Sequence, residues 1–261
     1  MSAVAPTLEL RGISKAFGSV QALSEVDFEV RDGEVMALVG DNGAGKSTLI
    51  KCVAGINSID SGEIFFEGEP VSVHGPKDAA RLGIEIVYQD LALCDNLDVV
   101  QNMYLGREVH DLLQRLQEPE MEQKTAKTLR SLAVTTIGSI KHPVATLSGG
   151  QRQSVAVARA VMWNSRVVIL DEPTAALGVA QTRQVLDLVK RLAQQGLAVV
   201  IISHNLYDVF EVATRITVLR LGRKVGVFER EQTTQREIVE AITAGVPTEV
   251  AGSAEAEPAG A

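Results

Sequence analysis

The stretch VMALVGDNGAGKST, Val35 to Thr48, decides how the rest of the chain is read. An apolar run passes straight into a glycine-rich turn, and the helical pattern TLIKCVAGI follows, ending at Gly55. GDNGAGKS fits the spacing G-x-x-x-x-G-K-[ST]. In such a loop Gly40, Asp41, Asn42, Gly43, Ala44 and Gly45 turn backbone N–H groups toward phosphates. Lys46 reaches the β- and γ-phosphates of a nucleotide, the Ser47 hydroxyl ligates Mg²⁺, and Thr48 completes the cradle. An ordinary strand-to-helix turn is the alternative, but strand, loop and helix all occur in the required order.

Working outward, LELRGI, VDFEV and EVMALV read as strands, and the turn RDG (Arg31 to Gly33) predicts a hairpin between the last two. SGEIFFEG and PVSVHG predict further short strands, and IEIVYQ a strand ending at Gln89. From about Asp98 to Thr136 the pattern is charged and mostly helical, in NMYLGREV and EMEQKTAKTLRSLAV. The strand RVVILDE, the amphipathic helix QTRQVLDLVKRLAQQG, the strand LAVVIIS and the helix LYDVFEVAT follow. TVLRLGRKVGVF is expected to end the fold as a hairpin. This alternation predicts an α/β fold with a parallel sheet covered on both faces. The helical stretch between Gln89 and Leu147 interrupts it as a subdomain of its own.

LSGGQRQ, Leu147 to Gln153, resembles a second anion site. Ser148 sits at a natural helix N-cap, Gly149 and Gly150 leave backbone N–H groups uncovered, and Gln151 follows. A helix start carries partial positive charge that favours phosphate. Two phosphate loops in one chain call for an explanation.

Other strand ends carry polar groups. Asp171 and Glu172 close the buried run RVVIL, where one carboxylate can hold Mg²⁺ and the next can orient or deprotonate water. Gln89 offers an amide to Mg²⁺ or to that water, although an isolated Gln is also a common surface residue. His204 lies just beyond LAVVIIS. His74, His110 and His142 read as loop or polar residues. Phe17 either belongs to the core or stacks on a purine.

The 261 residues are 46% hydrophobic and 22% charged, and carry a formal net charge of −8. That balance suits one large domain or two modest ones and shows no clustered basic face for nucleic acid. No apolar run approaches the ~20 residues of a membrane span, and no signal peptide is expected, so a membrane role requires a partner. Cys52 and Cys94 lack metal-ligand spacing and read as free thiols in a reducing cytoplasm. Residues 250–261, small and acidic, read as a disordered tail.

Taken in order, GDNGAGKS, Gln89, LSGGQ, VVILDE and His204 resemble the Walker A, Q-loop, signature, Walker B and H-loop motifs of ATP-binding cassette (ABC) ATPases. The resemblance covers residues 8–246. It implies a P-loop NTPase core, an N-terminal antiparallel β-subdomain and a helical subdomain at about 90–160. It also implies ATP and Mg²⁺ as ligands, with Ser47, Gln89 and Asp171 toward the metal, Lys46, Glu172 and His204 in catalysis, and Phe17 on adenine. Two such domains meet head to tail in the family, so Ser148, Gly149, Gly150 and Gln151 would serve the nucleotide of a second copy, and the second anion site would face outward. AALG departs from the family's S-A-L-D, with Gly178 in place of an aspartate at the dimer seam. DEPTAALGV, with GEPVSVHGPKDAARLGIEIVYQDLALCDNLDVVQNMYLGRE, looks most like bacterial importers of monosaccharides such as fructose, ribose and xylose. The partners implied are a membrane permease and a substrate-binding protein, at the cytoplasmic face of the plasma membrane. A non-transport ABC ATPase for chromosomes, repair or translation is the other reading. Leu91, Leu93, Leu97, Val99 and Met103 either line a surface that receives a permease helix or fill the helical subdomain's own core.

Overall fold

A computed structural model describes residues 5–245. The tail expected at 250–261 lies outside the described residues.

Two sheets form. The first contains strands β1 (Leu8–Phe17), β2 (Val20–Val30), β4 (Ser61–Phe66) and β5 (Glu69–Val71), antiparallel in the order β2-β1-β4-β5. The second contains β3 (Val35–Val39), β6 (Ile84–Val87), β7 (Val167–Asp171), β8 (Ala198–Ile202), β9 (Arg215–Arg220) and β10 (Arg223–Glu229). Its order is β10-β9-β3-β8-β7-β6, parallel except for β10.

This order corrects two expectations. The RDG turn does not close a hairpin, because β2 and β3 belong to different sheets. The turn instead carries the chain from one sheet to the other. Arg215 straps that crossing: its Nε donates to Glu34 Oε1 at 2.5 Å, and its Nη1 to Glu29 Oε1 at 2.8 Å on β2. Nor does the β9–β10 hairpin end the fold. Helix α8 (Gln235–Ala244) follows and packs on β9. Its start is a capping box in which Thr234 Oγ1 accepts from Glu237 N and Glu237 Oε2 accepts from Thr234 N.

The central strands are buried throughout, as in a parallel sheet covered on both faces. Side chains alternate across such a strand, so each strand feeds two cores. Val35, Ala37 and Val39 enter one cluster with Val199 and Ile201. Met36 and Leu38 enter the other with Val200 and Ile202. The second cluster lies beneath the antiparallel sheet, α1 (Lys46–Val53) and α2 (Pro76–Leu82). The first holds α3 (Val99–Tyr104), α4 (Glu118–Ser131), α5 (Gly149–Val161), α6 (Val179–Gln194), α7 (Leu206–Val212) and α8.

The segment after Gln89 is largely interior. Val99 and Met103 are buried in the first cluster, and Leu91 and Leu93 pack against it. The helical pattern expected over NMYLGREV stops at Tyr104. Buried Asn102 holds the preceding loop: its Oδ1 accepts from Cys94 N at 2.7 Å, and its Nδ2 donates to the carbonyls of Cys94, Leu97 and Asp98. Arg159 donates to the carbonyls of Leu91 and Ala92 from α5. Asp98 is the N-cap of α3, its Oδ1 accepting from Gln101 N at 2.8 Å.

Candidate nucleotide-binding site

Because β9, β3, β8, β7 and β6 are adjacent and parallel, the loops after β3, β8, β7 and β6 leave the sheet from one edge. That edge is where open α/β sheets place ligands. It carries the glycine loop, His204, Asp171 with Glu172, and Gln89 in turn. β6 ends at Val87, so Gln89 stands two residues beyond the strand, exposed, rather than terminating it.

The glycine loop needs its glycines for two separate reasons. Gly45 has φ +103°, and a Cβ there would lie 2.8 Å from Leu23 Cδ2 and 2.9 Å from Ala22 O. Gly40 has φ +154°, and a Cβ there would fall 2.3 Å from Leu219 O. Both conformation and space exclude a side chain, so the backbone itself forms the concave surface. Ala44 is buried, and Asp41, Asn42, Gly43 and Ser47 are exposed, with Thr48 partly so. Lys46 Nζ donates to Gly40 O at 2.7 Å and to Asp41 O at 3.0 Å, holding the ammonium across the loop. Burial pulls Lys46 below the usual lysine range, opposed by the charges of Glu172, Asp41 and Asp171.

Glu172 occupies a left-handed conformation at φ +50°. A non-glycine residue held there at a strand end is strained backbone over-determined by its surroundings. Its N–H donates to Ile202 O at 2.9 Å, tying the turn to β8. The carboxylate then meets the next strand's loop: Glu172 Oε2 lies 2.8 Å from His204 Nδ1. Asp171 is raised above the usual carboxylate range by burial and then by Glu172, against the opposing pull of Lys46 and Lys51. Among the described residues no group of three or more His, Cys, Asp or Glu is arranged to hold a metal by itself.

Phe17 ends β1 exposed rather than in the core, with Lys15 Nζ 5.6 Å from its ring centroid. Ser148 is the N-cap of α5, in a capping box with Gln151, and its N–H donates to Gln151 Oε1 at 2.8 Å. Ser148 and Gly149 are exposed, whereas Gly150 is buried. α5 packs on α3, α4, α6 and β6.

The sequence left two anchors of this site unmarked. Thr174 Oγ1 donates to buried Asp208 Oδ2 at 2.6 Å, fixing the turn after Glu172 to α7 just beyond His204. Asp208 reads in the sequence as an ordinary acid in a helix's first turn, so nothing signals its burial. Gln181 on α6 is the other. Cys52 and Cys94 are free thiols, Cys52 buried and pushed up by that burial.

A phosphate loop, a strand-end carboxylate pair, a glutamine just past the neighbouring strand and a capped glycine pair on such a fold define an ATPase cassette. Residues 23–175 match the ABC transporter family, and the chain belongs to it. The fructose import ATP-binding protein of Rhizobium meliloti is 46% identical over 244 residues, covering 91% of this chain and 94% of that protein. The xylose/arabinose import ATP-binding protein of Sulfolobus acidocaldarius is 47% identical over 90% of this chain and 93% of its own length. The ribose import ATP-binding protein of Yersinia pestis is 43% identical, but this chain spans 46% of it. An ATP-binding cassette of an ABC transporter solved in its ADP conformation superposes with a TM-score of 0.78 at 25% identity, covering 91% of this chain and 95% of that one.

Proposed function

We propose that this chain hydrolyses ATP to energise uptake of a monosaccharide through a membrane permease. The observation that carries the reading is the convergence of Lys46, Asp171, Glu172, His204 and Gln89 at one sheet edge, in a chain of which 90–91% aligns with sugar-import ATPases. The glycine cradle and Lys46 bind the phosphates, and Phe17 offers its exposed ring to adenine. Ser47, Gln89 and Asp171 would hold Mg²⁺, which neutralises charge on the phosphates. The Asp171 carboxyl, buried beside Glu172, fits a cation, because a positive charge there relieves both causes of its raised pKa. Glu172 acts on the attacking water, held by His204, while Lys46 and His204 stabilise charge on the γ-phosphate.

Ser148, Gly149, Gly150 and Gln151 face a second copy of the chain and bind its nucleotide, so each of the two sites is built from two chains. This is supported by the exposed, capped start of α5 and answers why one chain has two anion sites. A dimeric bacterial ABC transporter cassette has the same fold, with a TM-score of 0.72. Among the described residues no helix is long and apolar enough to cross a membrane. The likeness to import ATP-binding proteins supports a separate permease that supplies the pathway, with this chain working at its cytoplasmic face. A secreted binding protein would deliver the sugar. The chromosome, repair or translation reading has no support among these relatives.

The test is uptake of labelled fructose, ribose and xylose by cells lacking the gene, complemented with wild type or with Glu172→Gln. Wild type should restore uptake of one of these sugars and the variant should not. Unchanged uptake of all three in the deletion strain would remove the monosaccharide assignment.

A further inference from the structure

We infer that Gln181 is a positioning residue for the anion site at the start of α5, an assignment that rests on the two-chain site proposed above. A Cβ placed at Gly150 would lie 3.0 Å from Gln181 Cβ and 3.3 Å from its Cγ, with Gln181 Cα at 3.5 Å. A Cβ at Gly149 would meet Leu177 Cδ2 at 2.9 Å. Neither glycine has positive φ, so backbone conformation does not call for glycine at either position. Tight packing therefore disfavours a side chain at both positions, beside the need to leave their N–H groups uncovered. The two demands differ in kind. Leu177 Cδ2 is the free end of a flexible side chain that can swing away. Gln181 Cβ is fixed to the first turn of α6, so it gives way only if the backbone itself shifts by a few tenths of an ångström.

Gln181 is itself held, since Gly178 N donates to its Oε1 at 3.3 Å. From there a run of short turns leads back to the site: Leu177 N donates to Thr174 O at 3.3 Å and Ala175 N to Glu172 O at 3.1 Å. Thr174 is pinned to Asp208. The segment from Glu172 to Gln181 thus joins the carboxylate that serves this chain's own phosphate loop to the glycine pair that serves the other copy. Displacement of either end is passed through the packing of Gly150 against Gln181, where an added methyl group would be crowded. Gln181 sets where Ser148, Gly149 and Gly150 stand relative to Glu172.

The test is a cycle of variants assayed for kcat and KM for ATP, with thermal unfolding confirming that each is folded. Gly150→Ala should lower kcat about 10- to 100-fold, as misplacement of a binding group does, while the variant still unfolds in one cooperative step with at most a small drop in midpoint. Gln181→Gly removes the opposing Cβ and leaves ordinary contact to its Cα, and alone it should lower kcat only several-fold with KM unchanged. The double variant Gly150→Ala/Gln181→Gly should recover to the level of Gln181→Gly alone. Gly150→Ala/Gln181→Ala keeps the opposing Cβ and should stay as slow as Gly150→Ala. A double variant with Gly as slow as Gly150→Ala, or a fully active Gly150→Ala, would overturn the assignment. Ser148→Arg separates the two layers: if it still dimerises and turns over with ATP, the two-chain site falls and the assignment with it. If Ser148→Arg is inactive and the rescue fails, only the role of Gln181 is lost.

Discussion

Glu172 and His204 meet at 2.8 Å across the ends of two neighbouring strands, β7 and β8. Glu172 reaches this position from a left-handed backbone conformation, and its N–H is bonded to the carbonyl of Ile202 two residues before His204. The pair is therefore fixed by sheet pairing as well as by its own contact. His204 is largely exposed on its other side.

Glu172→Gln keeps the shape and removes the carboxylate. Turnover should fall by about 10²–10⁴, the range for a lost general base, while ATP binding persists and an ATP-bound dimer accumulates on gel filtration. His204→Ala should cost less. Because the two act as a unit, the double variant should be no slower than Glu172→Gln by more than about threefold. Losses that multiply in steady-state assays would show that the histidine acts independently of the carboxylate.

Ser148→Arg should block ATP-driven dimerisation and leave the nucleotide affinity of the monomer intact. Mixed with Lys46→Ala, it can build only one of two sites from unaltered parts. Titration of each variant separately with a fluorescent nucleotide checks this. Equal loss of affinity in the Ser148→Arg monomer would mean that α5 serves its own chain's nucleotide.

Asp171→Asn should make the nucleotide-free protein more stable at neutral pH. Burial, then Glu172, raises this carboxyl above its unfolded value, so the fold favours its protonated form. The sign follows: stability is fully present below the unfolded pKa and is lost as pH rises through the folded one. Removing the charge should raise the melting temperature by a few degrees at pH 7, with the difference disappearing below the unfolded carboxylate range. Hydrolysis should be lost at the same time. A lower melting temperature at pH 7 would show that Asp171 is stabilised by its neighbours.

Restoring an aspartate at the start of α6 is sterically free. Gly178 has φ −75°, a Cβ there meets nothing within 4 Å, and the N-cap lacks a side-chain acceptor. Gly178→Asp should stabilise the fold by about 0.5–1 kcal/mol, through capping and a less flexible unfolded chain. The melting temperature should rise by about 1–4 °C. Cooperativity of hydrolysis in ATP should rise too, if the aspartate meets the other copy at the seam. An unchanged melting temperature would deny Gly178 its N-cap role.

The glycine loop and its strand were legible because motif, apolar run and helix start are all local. Pairing was not. The turn at Arg31–Gly33 resembles a hairpin turn, and nothing nearby reveals that β3 pairs with Val199 and Arg215 instead of β2. α8 carried a readable capping box at Thr234 and Glu237, yet the preceding hairpin read as an ending. Val99 and Met103 stayed open between surface and core because α3 buries every residue but Gln101, leaving no polar stripe to mark its faces. Gln181 was invisible because it matters through its Cβ, which all residues except glycine share.

The placement of β3 also sets an order in time. Val35 pairs with Val199, and Met36 with Arg215, so the strand beneath the phosphate loop lacks both neighbours until the last quarter of the chain has been made. At about 5–20 residues per second of synthesis, the exposed VMALV run waits on the order of 10 s or more for partners. During that interval the nascent chain holds a complete nucleotide motif on an unsupported strand. Chains cut short before β8 would carry the motif without its sheet, and they would go to chaperones and proteases rather than compete for ATP or for the permease.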